Sequence, residues 1–167
     1  MLETSELLIA LPPGGAGDRK PASVSSPRRR VIADARTRTV LGFANYPGTV
    51  RRGWWPWTNA PTLTVHELLD EPLLFTLQRC WLLWYTVFDA DDHTIGYVGR
   101  GKLRNTFGRA LAERQVQTAN TWLYQGLRGQ PLAQLVKERD GGRLTFAPAI
   151  QEEPFLKMIL LADVLVR

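Results

Sequence analysis

The sequence predicts a mainly β domain, an antiparallel barrel closed or nearly closed around a hydrophobic C-terminal helix. Three observations carry this. From residue 31 onward short alternating or apolar runs are broken by turn residues at the spacing of an all-β fold. The runs are too numerous for one open sheet, whose edges would stand unpaired. The last segment breaks the pattern: ten of the thirteen residues Phe155–Arg167 are apolar and cover nearly every face of a helix.

The expected strands are Val31–Ala33, Thr39–Ala44, Thr62–His66, Leu73–Arg79, Trp84–Asp89, Thr94–Gly99, Ala110–Gln115, Thr121–Tyr124, Leu132–Lys137 and Leu144–Ala147. Asp-rich and Gly-rich stretches separate them, among them Asp-Ala-Arg-Thr-Arg (34–38), Ala-Asp-Asp-His (90–93) and Asp140-Gly141-Gly142. Asp and Gly tolerate the left-handed backbone of tight hairpins. VIADARTRTVLGF (31–43) and VFDADDHTIGY (87–97) echo each other, each with Asp in the turn and Gly after the returning apolar pair.

Glu152 and Glu153 precede Pro154, which suits the first position of a helix, so a central helix is expected over 153–167. A helix apolar on all sides is buried in protein or in lipid. Fourteen residues rise only about 21 Å, short of a hydrocarbon core of about 30 Å. Lys157 and Asp163 interrupt the run as well, so enclosure in protein is expected.

Residues 12–30, PPGGAGDRKPASVSSPRRR, cannot bury enough apolar surface to offset the entropy of ordering. The chain is therefore expected to divide into a flexible basic leader, 1–30, and a barrel domain, 31–167. Leu7–Leu11 is the exception within the leader, since that run can dock on the body as a strand.

The chain has 167 residues, 44% hydrophobic and 22% charged, enough for one domain with a core. The absence of a long apolar run and the acids Glu3 and Glu6 near the start argue against a spanning helix and a cleaved signal. A single cysteine, Cys80, excludes an intrachain disulfide and fits a reducing, cytoplasmic location.

The net charge of +5 is concentrated early: residues 1–53 carry nine basic groups and four acids, and the remainder balances. Such a segment is attracted to a polyanion or keeps the chain in solution. All four serines, Ser5, Ser23, Ser25 and Ser26, precede the expected domain, which argues against a serine hydrolase. His66 with Cys80 offers a possible nucleophile pair, although a buried core Cys is the commoner state. Asp89, Asp91, Asp92 and His93 have metal-ligand chemistry, but hairpin turns favour Asp for conformational reasons alone, and the Gly and distal Glu of an EF-hand loop are missing. No enzymatic constellation, metal or cofactor is implied.

Two surface clusters are the candidate sites. Arg51 and Arg52, followed by Trp54, Trp55 and Trp57, combine anion pairing with the indoles of membrane interfaces. The same Trp residues could instead plug a barrel mouth, and stacking on nucleic acid is the least supported use. Arg100, Lys102 and Arg104, with Arg109 and Arg114 nearby, share one face if Gly99–Leu103 continues a strand. That face can bind phosphate or simply be solvated.

YTVFDADDHTIGYV (85–98), DEPLLFTLQR (70–79) and LTFAPAIQEEPFLKMILLADVLV (144–166) resemble the tubby-like superfamily, nearest its phospholipid-scramblase and LURP-one-related branch. The resemblance covers roughly 31–167 and rests on hairpin order and the terminal helix. It implies a barrel of about a dozen strands around that helix. It also implies binding of phosphoinositide headgroups through basic side chains on the barrel; with the two clusters above, the expectation is a non-enzymatic, monomeric module, peripheral at anionic or phosphoinositide membranes, with Arg51, Arg52, Trp54, Trp55, Arg100, Lys102 and Arg104 as lipid or phosphate contacts. A structural or protein-interaction domain is the alternative. The scramblase cysteine cluster is missing, and Asp140-Gly141-Gly142-Arg143 replaces the acidic segment before the helix, so calcium binding is not carried over.

Overall fold

The computed structural model describes residues 2–10, 28–46, 63–67, 72–81, 83–139 and 141–166. They form twelve strands and one α-helix: β1 (Glu6–Ala10), β2 (Arg28–Asp34), β3 (Val40–Tyr46), β4 (Leu63–His66), β5 (Leu73–Trp81), β6 (Trp84–Asp89), β7 (Thr94–Gly99), β8 (Lys102–Asn105), β9 (Ala110–Thr118), β10 (Thr121–Gly126), β11 (Pro131–Glu138), β12 (Gly141–Phe146) and α1 (Pro154–Leu165). Each strand pairs antiparallel with its sequence neighbours, and β1 closes the barrel against β12. No sheet edge is left open, as the number of short strands requires.

Closure by β1 corrects the expected division at residue 30. Leu8 lies opposite Arg143 of β12 on one side and Ala33 of β2 on the other. Alternation points Leu7 and Ile9 inward, fully and almost fully buried. Residues 6–10 and 28–30 are therefore barrel wall, and 11–27 lie outside the described residues.

The strands alternate as a wall with an apolar inside requires: β12 buries Gly142, Leu144 and Phe146, and exposes Arg143 and Thr145. The helix starts at Pro154, as expected, and every residue from Lys157 to Leu165 is buried. It packs against β7 and β8. Gly96 of β7 makes the close approach possible, because a Cβ there would meet Ile159 Cδ1 at 2.7 Å.

Two side chains fix the polar atoms of this apolar axis. Asp163 accepts from Arg114 Nη1 at 2.9 Å and from Tyr124 Oη at 2.8 Å, both on Oδ2. Lys157 donates to the Leu2 carbonyl and lies 5.4 Å from the Phe146 ring centre. Burial pushes the Lys157 ammonium below the usual lysine range, with Glu3 pulling it back. A charge inside a core is tolerated only with such partners.

The helix enters the barrel from the end where β12 finishes and runs towards the other. The first end carries the turns 35–39, 90–93, 106–109 and 127–130. At the second end lie the turn 100–101, the β11–β12 turn, the C-terminus of the helix, and the residues Ala10, Arg28, Tyr46 and Leu63, which border segments outside the described residues.

Candidate functional site

The sign of charge distinguishes the two ends. Among the described residues the second end presents Arg29, Arg30, Arg100, Lys102, Lys137 and Arg139. Its acids Glu113 and Glu138 are paired, Glu113 with Lys102 at 3.8 Å and Glu138 with Arg143 at 2.9 Å. At the first end Arg36, Arg38, Arg109 and Arg128 are interspersed with Asp91, Asp92, Glu152 and Glu153.

The expected continuation of a strand through Gly99–Leu103 is corrected. The chain reverses at Arg100 and Gly101, with φ of 51° and 76°, and Lys102 returns opposite Gly99. Two successive positive φ values match the twist of a two-residue hairpin. Arg100 therefore sits at the tip of the turn, while Lys102 and Arg104 share the outer face of β8 around buried Leu103. Arg104 donates to the Gly108 carbonyl at 3.3 Å and lies 5.1 Å from the Trp84 ring centre, so it is held against the wall. Arg109 lies at the first end, away from Arg100. Arg114 shares the parity of buried Ala112 and points into the barrel towards Asp163, leaving the surface cluster altogether.

Arg51, Arg52, Trp54, Trp55 and Trp57 lie outside the described residues. Tyr46 and Leu63, which flank that segment, are both at the second end.

Sequence reasoning missed a pocket at the second end of about 360 Å³. Ile9, Trp122, Leu135 and Val164 form apolar wall, and Gly142 adds none of its own. Arg30, Lys137, Glu138 and Arg139 form the charged rim. Lys137 follows Leu135 at a two-residue step along β11, and that period carries it to the inner lip of the barrel, while Arg139 lines the pocket from the turn just beyond the strand. The signal was in the sequence for Lys137, since it continues an inward apolar row.

Arg30 and Tyr46 close the helix end beside the pocket. Tyr46 Oη donates to the Leu165 carbonyl at 2.6 Å, and Arg30 Nη1 reaches the same oxygen at 3.4 Å. These bonds satisfy a carbonyl that the helix itself leaves without a partner. Burial pushes the Tyr46 phenol up to about 12, with Arg30 pulling it down. Arg29 stacks on the Phe43 ring at 3.7 Å.

The remaining candidates have structural uses. Asp89 Oδ1 accepts from the backbone N–H groups of Asp91, at 3.0 Å, and His93, at 2.8 Å. Ligand atoms of Asp89, Asp91 and His93 lie within 4.8 Å of one another, but one carboxylate oxygen already holds the turn. His66 is paired with Leu73 near the first end, and Cys80 lies seven residues further along β5, exposed near the second. Successive strand residues rise about 3.3 Å, so the two side chains cannot meet. No helix among the described residues is long and apolar enough to cross a membrane.

No family model, no curated protein and no solved structure matches the chain.

Proposed function

We propose that this protein is a non-enzymatic, tubby-like module, related to the phospholipid-scramblase and LURP-one-related branch, that attaches peripherally to anionic or phosphoinositide membranes from the cytoplasmic side. The observation that carries this reading is the polarity of the barrel. Cations gather at the second end, the acids among them are already paired, and the first end is mixed. Each basic group near an anionic bilayer contributes about 1 kcal/mol and is screened by salt, so a few acting together give reversible attachment. Arg51, Arg52, Trp54 and Trp55 belong to the segment that joins Tyr46 to Leu63, and on this reading they act with Arg100 and Lys102. Arg104 contributes less, being held by Gly108 and Trp84.

Co-sedimentation with vesicles tests the reading. Binding should rise with the fraction of phosphatidylserine or phosphoinositide and fall as salt is added. It should also weaken when Arg51, Arg52, Arg100 and Lys102 are neutralised together. Trp54→Ala and Trp55→Ala should lower binding with little change in its salt dependence, because an indole contributes apolar contact. No binding to anionic vesicles at low ionic strength would reject it.

The alternative is a protein-interaction domain, and one observation favours it. Phe107 and Leu127, 86% and 75% exposed, occupy the tips of neighbouring turns at the first end. Exposed apolar groups placed together are a feature of protein contacts.

A further inference from the structure

The second end holds a concave site as well as a charged surface, and the two make different demands on a ligand. The pocket of about 360 Å³ is near the lower limit of the roughly 300–1,000 Å³ typical of ligand sites. One slender chain fits such a volume; the paired chains of a bilayer phospholipid do not.

Its shape follows from a glycine at an inward position. Gly142 is buried and alternates with inward Leu144 and Phe146. A Cβ there would meet only the Leu135 Cδ1 atom at 3.2 Å and the Val136 carbonyl at 3.6 Å. Any larger residue would grow into the pocket. Gly142 lines this space and contributes no side chain to fill it.

Its chemistry is divided. Among the described lining residues, Ile9, Trp122, Leu135 and Val164 are apolar, and Arg30, Lys137, Glu138 and Arg139 carry charge. Arg30 is engaged by the Leu165 carbonyl and by the Tyr46 ring, 4.9 Å away. Glu138 is neutralised by Arg143 at 2.9 Å. Among the described lining residues this leaves Lys137 and Arg139 as the cations for a ligand, and Asp140 of the same turn lies outside the described residues.

We propose that this pocket binds a single-chain anionic amphiphile, a carboxylate or phosphate head on one hydrocarbon chain. The head lies between Lys137 and Arg139, and the first part of the chain lies against Trp122, Leu135, Ile9 and Val164. Charge-assisted hydrogen bonds fix the head, and apolar burial holds the chain. The inference rests on the membrane reading for its biological source of ligand, since such molecules partition from bilayers. The site itself needs no bilayer.

Isothermal titration of the full chain with laurate and with lauroyl lysophosphatidate, each below its micelle concentration, tests this. One molecule should bind per chain, and the tighter of the two identifies the head. Lauroyl lysophosphatidylcholine and inorganic phosphate should bind about tenfold more weakly or worse. Gly142→Val should abolish binding by filling the pocket, and Lys137→Gln with Arg139→Gln should weaken it by about tenfold or more. If Gly142→Val does not fold, the double variant on the lip decides alone.

Equal binding of inorganic phosphate would reduce the site to an anion contact, and equal binding of the lysophosphatidylcholine would reduce it to an apolar cavity. Either result overturns the proposal, as does wild-type affinity in the double variant. The two readings separate cleanly. Gly142→Val should still co-sediment with anionic vesicles, whereas a chain that titrates with laurate but never co-sediments would reject the membrane reading alone.

Discussion

Arg114 Nη1 lies 2.9 Å from Asp163 Oδ2, so a cation in the barrel wall reaches inward to the one acid on the central helix. Asp163 is 3% exposed at its side chain and Arg114 23%, and Tyr124, fully buried, donates to the same carboxylate oxygen. An all-apolar helix can rotate or slide in an apolar barrel at little cost. A carboxylate that must meet Arg114 and Tyr124 allows one rotation and one depth.

Removing one partner should therefore cost more than removing both. Arg114→Ala leaves a buried carboxylate short of its cation and should destabilise by about 3–5 kcal/mol. Asp163→Asn keeps an acceptor for Tyr124 and should cost less. The pair Arg114→Met with Asp163→Leu should recover most of the loss. Urea unfolding of the three variants measures this; an Arg114→Ala midpoint equal to wild type would remove the pair from the account.

Enclosure of the helix gives a second expectation. Leu160 is fully buried among apolar side chains. Leu160→Asp places a second carboxylate there without a designated cation, a cost of several kcal/mol against a typical total of about 5–15 kcal/mol. The variant should fail to unfold cooperatively by circular dichroism. A cooperative transition near the wild-type midpoint would contradict a central helix.

The first strand is expected to be indispensable. Leu7→Ala should cost about 2–5 kcal/mol, because Leu7 is fully buried. Deleting residues 2–10 should unfold the chain, since it opens β2 and β12 together and uncovers Ile9's neighbours. A soluble deletion variant with the wild-type melting temperature would mean that the barrel does not need β1.

Tyr46 makes the stability depend on alkaline pH. Its folded value of about 12 exceeds the ordinary 10, so above pH 10 the unfolded chain gives up the proton first and stability falls. The contribution is complete below pH 10 and lost as pH rises through 12, on the order of 3 kcal/mol in all. Tyr46→Phe loses the bond to Leu165, about 1 kcal/mol at neutral pH, and also loses this dependence. Urea unfolding at several pH values should show the wild type losing its advantage over the variant above pH 10 and falling below it by pH 12; parallel curves would contradict the assignment.

The barrel and its helix were legible because they are written as periods. All ten expected strands overlap observed ones, and the helix begins at the expected Pro154. β8 was not legible: four residues, KLRN, carry a single inward apolar group, Leu103, and the turn before them uses Arg100 where Asn or Asp is usual. Arg114 was misread because a sequence gives the charge of a residue and not its direction. Asp163 held the clue, since a lone acid on an otherwise apolar helix requires a partner, yet that partner is 49 residues away. The pocket was hidden for a similar reason. Gly142 reads as a turn residue beside Asp140 and Gly141, and only the register with β11 places it inside the wall.

The polarity of the barrel is the central claim, and a matched pair of variants tests it most directly. Neutralising Arg100, Lys102, Lys137 and Arg139 to Gln, or Arg36, Arg38, Arg109 and Arg128 to Gln, removes the same charge from opposite ends. Co-sedimentation with phosphatidylserine vesicles at low salt should fall by about tenfold or more for the first set, and stay near wild type for the second. Equal loss in both sets would show that net charge alone draws the protein to the bilayer, and would contradict a binding end.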